Sequence, residues 1–553
     1  MSGPRDADVV HCAYDGGTGS GSAPLTWAQR FMWDVIQAAG VEPAEFDFIV
    51  VREFPVPIAV DAAVDLLRRF VLRHPVLRLA ISQPSGGDPV QQVRASGTLL
   101  VQVLHGPEPA AADLRPLIAG TTATEVCRPL IVLEHDHVVL VALRISHLAT
   151  DGGGVRLLTE DLTAVPVYGD AGEVVPTPSP VDLARFETSA DGLDVQRRST
   201  DLGAATYAVC PPTMWPRQRR SAERERFWYG ELRSSALLAA MDALVRAKRL
   251  RRVGILTGAI AAVAAAAAGL DSALLFTISG NRIDPAWRAY PGQLSQEAIL
   301  HVPLRTTLDE TMQAAMVQTM RSLQAARYAP AAMQAVCRAA EWDRGVHFDK
   351  LGSAIVLNLL MGESAGRDPA VARPTTFAWT GTTDRENLGL YLDAFEADAE
   401  FVLGVRLDTA LLSPAEAEAW LRAIEWAVVT DVTTTVTIAD VRAHVRAFRE
   451  QDAADDIMAS GCARVVASVT GADAVHVQVV PRDDGRHDHL CYLVNPRWAA
   501  TPEQAHPGVM AALPAAQPAV APSRYVIVAE APTEPADDAA WSQLPVVASG
   551  SGR

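Results

Sequence analysis

The sequence predicts an α/β protein of two lobes, followed by a small α+β unit. Three observations carry this. Residues 1–185 alternate helical with strand-like periodicity, and residues 227–447 do so again. Residues 450–553 form a shorter pattern of helix, hairpin, helix and strand.

In the first lobe, 28–39 and 62–74 read as helices, and 46–52, 99–104 and 131–145 as strands. Residues 138–143 are continuously apolar, as in a strand buried on both faces, and 155–162 read as an amphipathic helix. Residues 186–226 read as a linker or insertion: the stretch is polar, contains Pro211-Pro212, and carries Arg217, Arg219 and Arg220. In the second lobe, helices are expected over 227–246, 255–267, 311–328 and 413–430. Strands are expected over 272–279, 353–360, 388–396 and 400–408. Residues 253–270 are nearly all apolar, but Ala, Gly and Thr dominate them, which favours a buried helix over a membrane span.

A chain of 553 residues, 49% hydrophobic and 20% charged, is ordinary for a globular protein. Its net charge of −17 argues against nonspecific nucleic-acid binding. The six cysteines are scattered, with no CxxC pair, so a reducing cytoplasm is expected and no metal site. The polar, charged opening does not resemble a signal peptide. No Rossmann or P-loop glycine pattern and no nucleophile elbow occurs.

The chemistry concentrates in Ile145-Ser146-His147-Leu148-Ala149-Thr150-Asp151-Gly152-Gly153. His147 falls at a strand end, and Asp151 and Gly152 where the chain turns into a helix. An imidazole near neutral pKa on a rigid edge suits a general base. The N–H groups of Gly152 and Gly153 at the helix start suit an oxyanion or a cap. The three glycines 152–154 carry no side chains and leave room beside His147.

His-x-x-x-Asp-Gly resembles the active-site motif of the chloramphenicol-acetyltransferase-like superfamily, above all the condensation domain of nonribosomal peptide synthetases. Other segments resemble that family in its order: Leu25-Thr26-Trp27-Ala28-Gln29, Arg73-His74-Pro75-Val76-Leu77-Arg78, Ser179-Pro180-Val181-Asp182-Leu183-Ala184 with Phe227-Trp228, Ser279-Gly280-Asn281-Arg282, Val302-Pro303-Leu304-Arg305 and Ile355-Val356-Leu357-Asn358. The resemblance spans roughly residues 20–445. It implies two chloramphenicol-acetyltransferase-like lobes arranged as a V-shaped pseudo-dimer. Two departures stand out: Ser146 replaces the first of two adjacent His, and Gln296-Glu297-Ala298-Ile299-Leu300 replaces a Gly-x-Phe-x-Asn segment.

The resemblance implies that His147 is catalytic and that Asp151 is structural, paired with Arg78. Gly152 belongs to the same turn. Ser146, Gly153, Ser279 and Asn358 are candidates for the substrate channel. It implies no bound cofactor, but a phosphopantetheine thioester delivered by a peptidyl or acyl carrier protein, and a small amine or amino-acid acceptor, with no nucleic acid and no membrane. A coenzyme A-dependent acyltransferase of the same fold and a non-catalytic recruitment module remain alternatives. Two arginine clusters are expected to meet an acidic carrier: Arg217, Arg219, Arg220 and Arg224, or Arg246, Arg249, Arg251 and Arg252.

The tail resembles the C-terminal subdomain of adenylation domains at Ala512-Leu513-Pro514, Ala521-Pro522-Ser523-Arg524 and Ala531-Pro532-Thr533. That family's Asn-Gly-Lys is here Ala536-Asp537-Asp538, and no Lys follows Lys350. Without that cation an adenylate-forming reaction loses its charge stabilisation, so a degenerate, non-adenylating unit is expected.

Overall fold

The computed structural model describes residues 8–39, 42–106, 114–167, 175–216, 219–348, 354–360, 373–384, 389–446, 454–482 and 487–553. The chain is mixed α/β and divides into two compact units. The first gathers 1–199 with 279–297 and 324–331; the second holds the remainder, tail included.

The first unit runs β1 (Asp8–Tyr14), β2 (Gly21–Pro24), α1 (Trp27–Ala39), β3 (Phe48–Ile58), α2 (Val60–Arg73), β4 (Leu79–Ser82), β5 (Val90–Val93), β6 (Gly97–His105), β7 (Cys127–Glu134), β8 (His137–Ile145), α3 (Gly152–Ala164) and α4 (Pro180–Glu187), and the division at 199 falls within α5 (Ala190–Val209). Its main sheet has the order β1-β6-β7-β8-β3, and β2-β5-β4 form a small second sheet. One face of the main sheet is covered by Leu66, Leu67 and Phe70 of α2 and by Leu158 and Leu162 of α3. Leu114 and Ile118 pack against the other face at Leu130, Val132, Leu140 and Ala142. Cover on both faces explains the continuous apolar run of β8.

The 131–145 run is a hairpin rather than one strand. His135 and Asp136 turn the chain with φ of 47° and 65°, the left-handed conformation that a two-residue hairpin turn needs. The 186–226 stretch is not irregular either: α4 ends there and α5 contributes 20 helical residues. Its polar composition is that of a solvated helix. Ser189 Oγ accepts from Gly192 N (3.3 Å), and Asp194 pairs with Arg198 at 3.0 Å one turn later.

The second unit continues with β9 (Phe227–Ser234), α6 (Ser235–Lys248), α7 (Arg252–Ala268), β10 (Ser272–Ser279), β11 (Gln296–Pro303), α8 (Leu308–Gln324), α9 (Pro330–Arg344), β12 (Ile355–Leu359), β13 (Thr376–Thr383), β14 (Leu390–Ala397), β15 (Glu400–Asp408), α10 (Pro414–Asp431) and α11 (Ile438–Arg446). Its sheet has the order β11-β10-β12-β14-β15-β9-β13. The expected helix over 227–246 is two elements. Residues 227–234 form β9 because partners await them on both sides, β15 and β13. Ser234 then caps α6, accepting from Leu237 N at 2.9 Å.

Helix α7 is buried from Gly254 to Ala268. Its small residues let α8 approach: a Cβ on Gly258 would lie 2.6 Å from Met312 Cα. Among the described residues, no single helix is long and apolar enough to cross a membrane.

The tail has α12 (Ala454–Thr470), β16 (Ala474–Pro481), β17 (His487–Val494), α13 (Pro502–Ala512), β18 (Arg524–Val528), α14 (Asp538–Ser542) and β19 (Val546–Gly550). Its sheet order is β16-β17-β18-β19, with β17 and β18 parallel and joined through α13. The expected helix–hairpin–helix–strand order is present; residues 483–486, between β16 and β17, lie outside the described residues. The tail is moored to the end of α9. Ala521 N donates to Gly345 O at 2.7 Å, Arg553 donates to Asp343 O, and the buried His506 ring meets Trp342 edge-on at 4.9 Å.

Burial, and then the Arg553 guanidinium, lower the His506 pKa from 6.5 to about 4. An unfolded tail therefore binds a proton that the folded tail refuses between those values. Stability is complete above about pH 6.5 and drains as pH falls toward 4. Thermal melts from pH 4 to 7.5 should show this slope, and His506→Phe should flatten it. An unchanged slope in that variant would show that His506 is not its source.

Candidate active site

His147 occupies a one-turn loop between β8 and α3. The loop closes on itself: Ala149 N and Thr150 N donate to Ser146 O at 2.9 and 3.2 Å. The half-buried imidazole lies against Phe48, ring centroids 4.8 Å apart. Burial pushes its pKa below the ordinary 6.5, opposed by its own and the Thr150 backbone, the Asp151 charge and the Gln293 carboxamide. The ring is therefore neutral at physiological pH, the form a general base requires. Its Nδ1 is buried and makes no well-formed hydrogen bond.

Asp151 is the fixed point of the loop. It is 1% exposed, yet every direction around its carboxylate is filled. Oδ1 accepts from Gly154 N at 2.8 Å, which caps α3. Oδ2 accepts from Leu294 N (2.9 Å), Ser295 N (2.8 Å) and Arg282 Nη1 (3.0 Å), and Arg282 Nη2 reaches Oδ1 at 2.7 Å. Arg282 spends its other donors on Tyr290 O, Gly280 O and Gly292 O. Thr150 Oγ1 adds a bond to Pro291 O at 2.7 Å. Segment 279–297 is thus laced to the His147 loop.

The expected pair between Asp151 and Arg78 does not form. Arg78 is buried elsewhere and clamps backbone: it donates to Val71 O at 3.1 Å, Thr18 O at 2.6 Å and Arg94 O. Three carbonyls satisfy its donors, so it has no need of a carboxylate. Arg282 takes the role instead. The sequence offered two arginine motifs for one buried aspartate, and nothing in spacing chooses between them.

The glycines also differ from expectation. Gly152 faces open space, but a Cβ on Gly153 would lie 2.7 Å from Arg282 Nη1, and one on Gly154 would lie 2.1 Å from Pro291 O. Gly153 and Gly154 are therefore small so that segment 279–297 can approach; only Gly152 leaves free room. Ser146, expected among channel residues, is completely buried, with Oγ accepting from Leu148 N at 3.3 Å. Ser279 is 2% exposed and bonds Asn281 Oδ1 at 2.9 Å. Asn358 belongs to the second unit, half-buried, and donates to Asp393 Oδ1 at 2.8 Å. Around His147 the first unit thus assembles Ser146, Asp151, Gly152 and Gly153. It adds Arg282, which the sequence marked only within the Ser279-Gly280-Asn281-Arg282 motif, and Thr150 and Gln293, to which the sequence gave no role. Among the described residues no group of three His, Cys, Asp or Glu could hold a metal ion.

No family model and no curated protein matches the sequence. Solved structures do. The condensation domain that mediates chain release from the enacyloxin polyketide synthase is similar at a TM-score of 0.56 and 16% identity, over 74% of this chain and 82% of that one. The X-domain from teicoplanin biosynthesis is similar at 0.55 and 15%, over 75% and 96%. The starter condensation domain of rhizomide synthetase, a mutant in complex with C8-CoA, is similar at 0.51 and 18%, over 76% and 96%. The chain has the condensation-domain fold.

Removing one partner of a buried pair leaves a lone charge and costs about 3–5 kcal/mol. Asp151→Ala and Arg282→Ala should each destabilise on that scale, and the double variant by much less than the sum. Arg78→Ala combined with Asp151→Ala should be additive. Chemical denaturation of the four-member cycles decides between the two arginines. Gly152→Ala should stay within about 0.5 kcal/mol of wild type, whereas Gly154→Ala should lose about 1–3 kcal/mol or more by overpacking.

Proposed function

We propose that this protein joins an acyl or aminoacyl group, carried as a phosphopantetheine thioester on a carrier protein, to a small amine. The acceptor nitrogen attacks the thioester carbonyl, an N–C bond forms, and the C–S bond breaks to release the carrier thiol. His147 takes the proton from the attacking nitrogen and returns it to the departing sulfur. On this reading the Gly152 and Gly153 N–H groups at the start of α3 serve the developing oxyanion, Gly154 N being held by Asp151. The observation that carries this reading is the neutral, rigidly looped His147 within a condensation-domain fold. A coenzyme A thioester would serve the same chemistry, as the C8-CoA complex of the rhizomide starter domain suggests.

A second reading is recruitment without catalysis. The teicoplanin X-domain, of the same fold, was solved in complex with OxyB. The Ser146 replacement and the degenerate tail are the features of this chain that favour it. The tail, with Asp537 and Asp538 at the Gly-Lys positions, performs no adenylation in either reading.

For carrier docking the second arginine cluster is favoured. Arg217 lies outside the described residues, Arg219 and Arg220 face Asp408 and Glu416, and Arg252 is held by Asp242 and Glu396. Arg246, Arg249 and Arg251 are exposed at the α6–α7 corner and suit an acidic surface.

His147→Ala should lower turnover of a carrier-bound acyl donor and amine pair by about 100-fold or more. Wild-type turnover in that variant would leave recruitment as the surviving reading. Reversing Arg246, Arg249 and Arg251 to Glu should raise KM for the carrier about 10-fold at low salt and remove its salt dependence, with kcat kept. Unchanged KM and salt response would exclude that corner as the docking face.

A further inference from the structure

We propose that the first unit carries a second binding site, a small cavity that takes one phosphate group, free or as the head of a phosphate monoester. The inference does not rest on His147 being catalytic.

The cavity lies at the end of the main sheet where β1 and β8 finish and β6 and β7 begin. Tyr14, Arg78, Arg94, Thr98, Glu125 and Arg128 supply its polar lining. Three guanidinium groups meet one carboxylate there, an excess of two positive charges in a chain whose net charge is −17. Tyr14 and Cys127, also in the wall, do not offset that excess: burial raises both pKa values and keeps both groups protonated. The cavity has a volume of about 40 Å³. A single water needs roughly 10–15 Å³ of such space. One small oxyanion fits; a nucleotide or an acyl chain does not. Val126 O, in the same wall, accepts from Ser146 N at 2.9 Å. The cavity therefore shares a sheet edge with the His147 loop, yet no residue of that loop lines it.

The three arginines suit an anion in different ways. Arg78 is 2% exposed, and Val71 O, Thr18 O and Arg94 O accept its N–H groups. Those carbonyls answer its hydrogen bonds but not its charge, since no carboxylate of the described residues pairs with it. A buried guanidinium in that state is costly, and an anion beside it offsets the cost. Arg94 is exposed and likewise has no carboxylate partner among the described residues. Its side chain can adjust to an ion that the fixed Arg78 attracts. Arg128 bonds Glu125, but its Nε is buried without a partner. The Glu125 side chain is 47% exposed, so the pair is of the weak surface kind and yields to a divalent anion. Tyr14 adds a hydroxyl donor beside Gly97, where a Cβ would lie 2.7 Å from the phenolic oxygen. Guanidinium forks and hydroxyls are the groups that recognise phosphate oxygens. A doubly charged phosphate matches the excess of two charges, whereas a carboxylate would leave half of it uncompensated.

The test uses the full-length protein, with inorganic phosphate and glycerol 3-phosphate as probes. Calorimetric titration at constant ionic strength, set with chloride, should give saturable binding of one phosphate with Kd of about 1 mM or less. Arg94→Gln and Arg128→Gln should each weaken it about 10-fold or more. Glu125→Gln removes the opposing carboxylate and should tighten it about 3-fold or more. Thermal melts of each variant without phosphate check that the fold is kept, and Arg94 is exposed enough for that variant to carry the test alone. Binding of both probes, with competition between them, would support the site as a receptor for a monoester head. Binding of inorganic phosphate alone would support it as a site for the free ion. No saturable binding of either probe would overturn the proposal, as would affinities unaltered in both arginine variants or chloride competing as strongly as phosphate.

Discussion

The Asp151–Arg282 pair is the constraint on which the site depends. A carboxylate this deeply buried survives only when every lone pair is answered. Here three backbone N–H groups and a guanidinium answer it. Each answer also does local work. Gly154 N starts α3, Leu294 N and Ser295 N fix the 291–295 backbone, and Arg282 ties Gly280, Tyr290 and Gly292 carbonyls to the same point. The charge network is therefore a joint. It holds the one-turn loop carrying His147 against a segment arriving from more than 120 residues further along the chain.

That joint explains which residues must be small. Gly153 yields to the Arg282 guanidinium and Gly154 to the Pro291 carbonyl, so the glycine run answers packing more than ligand access. Gly152 alone meets empty space. The same logic accounts for Ser146. Ser146 is completely buried, and a short side chain that bonds Leu148 N fits where a longer polar one would need its own partners.

Much of the fold was legible in the sequence because its signals are local. The apolar runs of β8, β10 and β15, the Ala-rich α7 and the order of tail elements all read from periodicity. What escaped was set by partners distant in sequence. Residues 227–234 have side chains compatible with a helix and become β9 because β13 and β15 pair with them. Residues 190–209 are polar enough to read as linker, yet they form α5, with Ser199, Thr206 and Tyr207 buried and exposed ion pairs at helical spacing near its start. The site divides the same way. His147, Asp151 and Gly152 announce themselves by motif. Arg282 instead of Arg78 is a choice made by topology. Gln293 carries no signal at all, since an isolated glutamine in a loop looks like any solvated residue.

Burial serves two purposes at His147, and they pull against each other. Desolvation lowers the imidazole pKa and keeps the ring neutral, ready to accept a proton. The same desolvation makes the protonated ring, which the reaction must form, costly. A neutral base in an apolar cleft would be correct at rest and poor in the transition state. The counterweights are the ring's own backbone, the Asp151 charge and the Thr150 backbone. They are held in place by the one-turn loop and by Arg282, so they favour imidazolium when the reaction forms it without a reorganisation of their own.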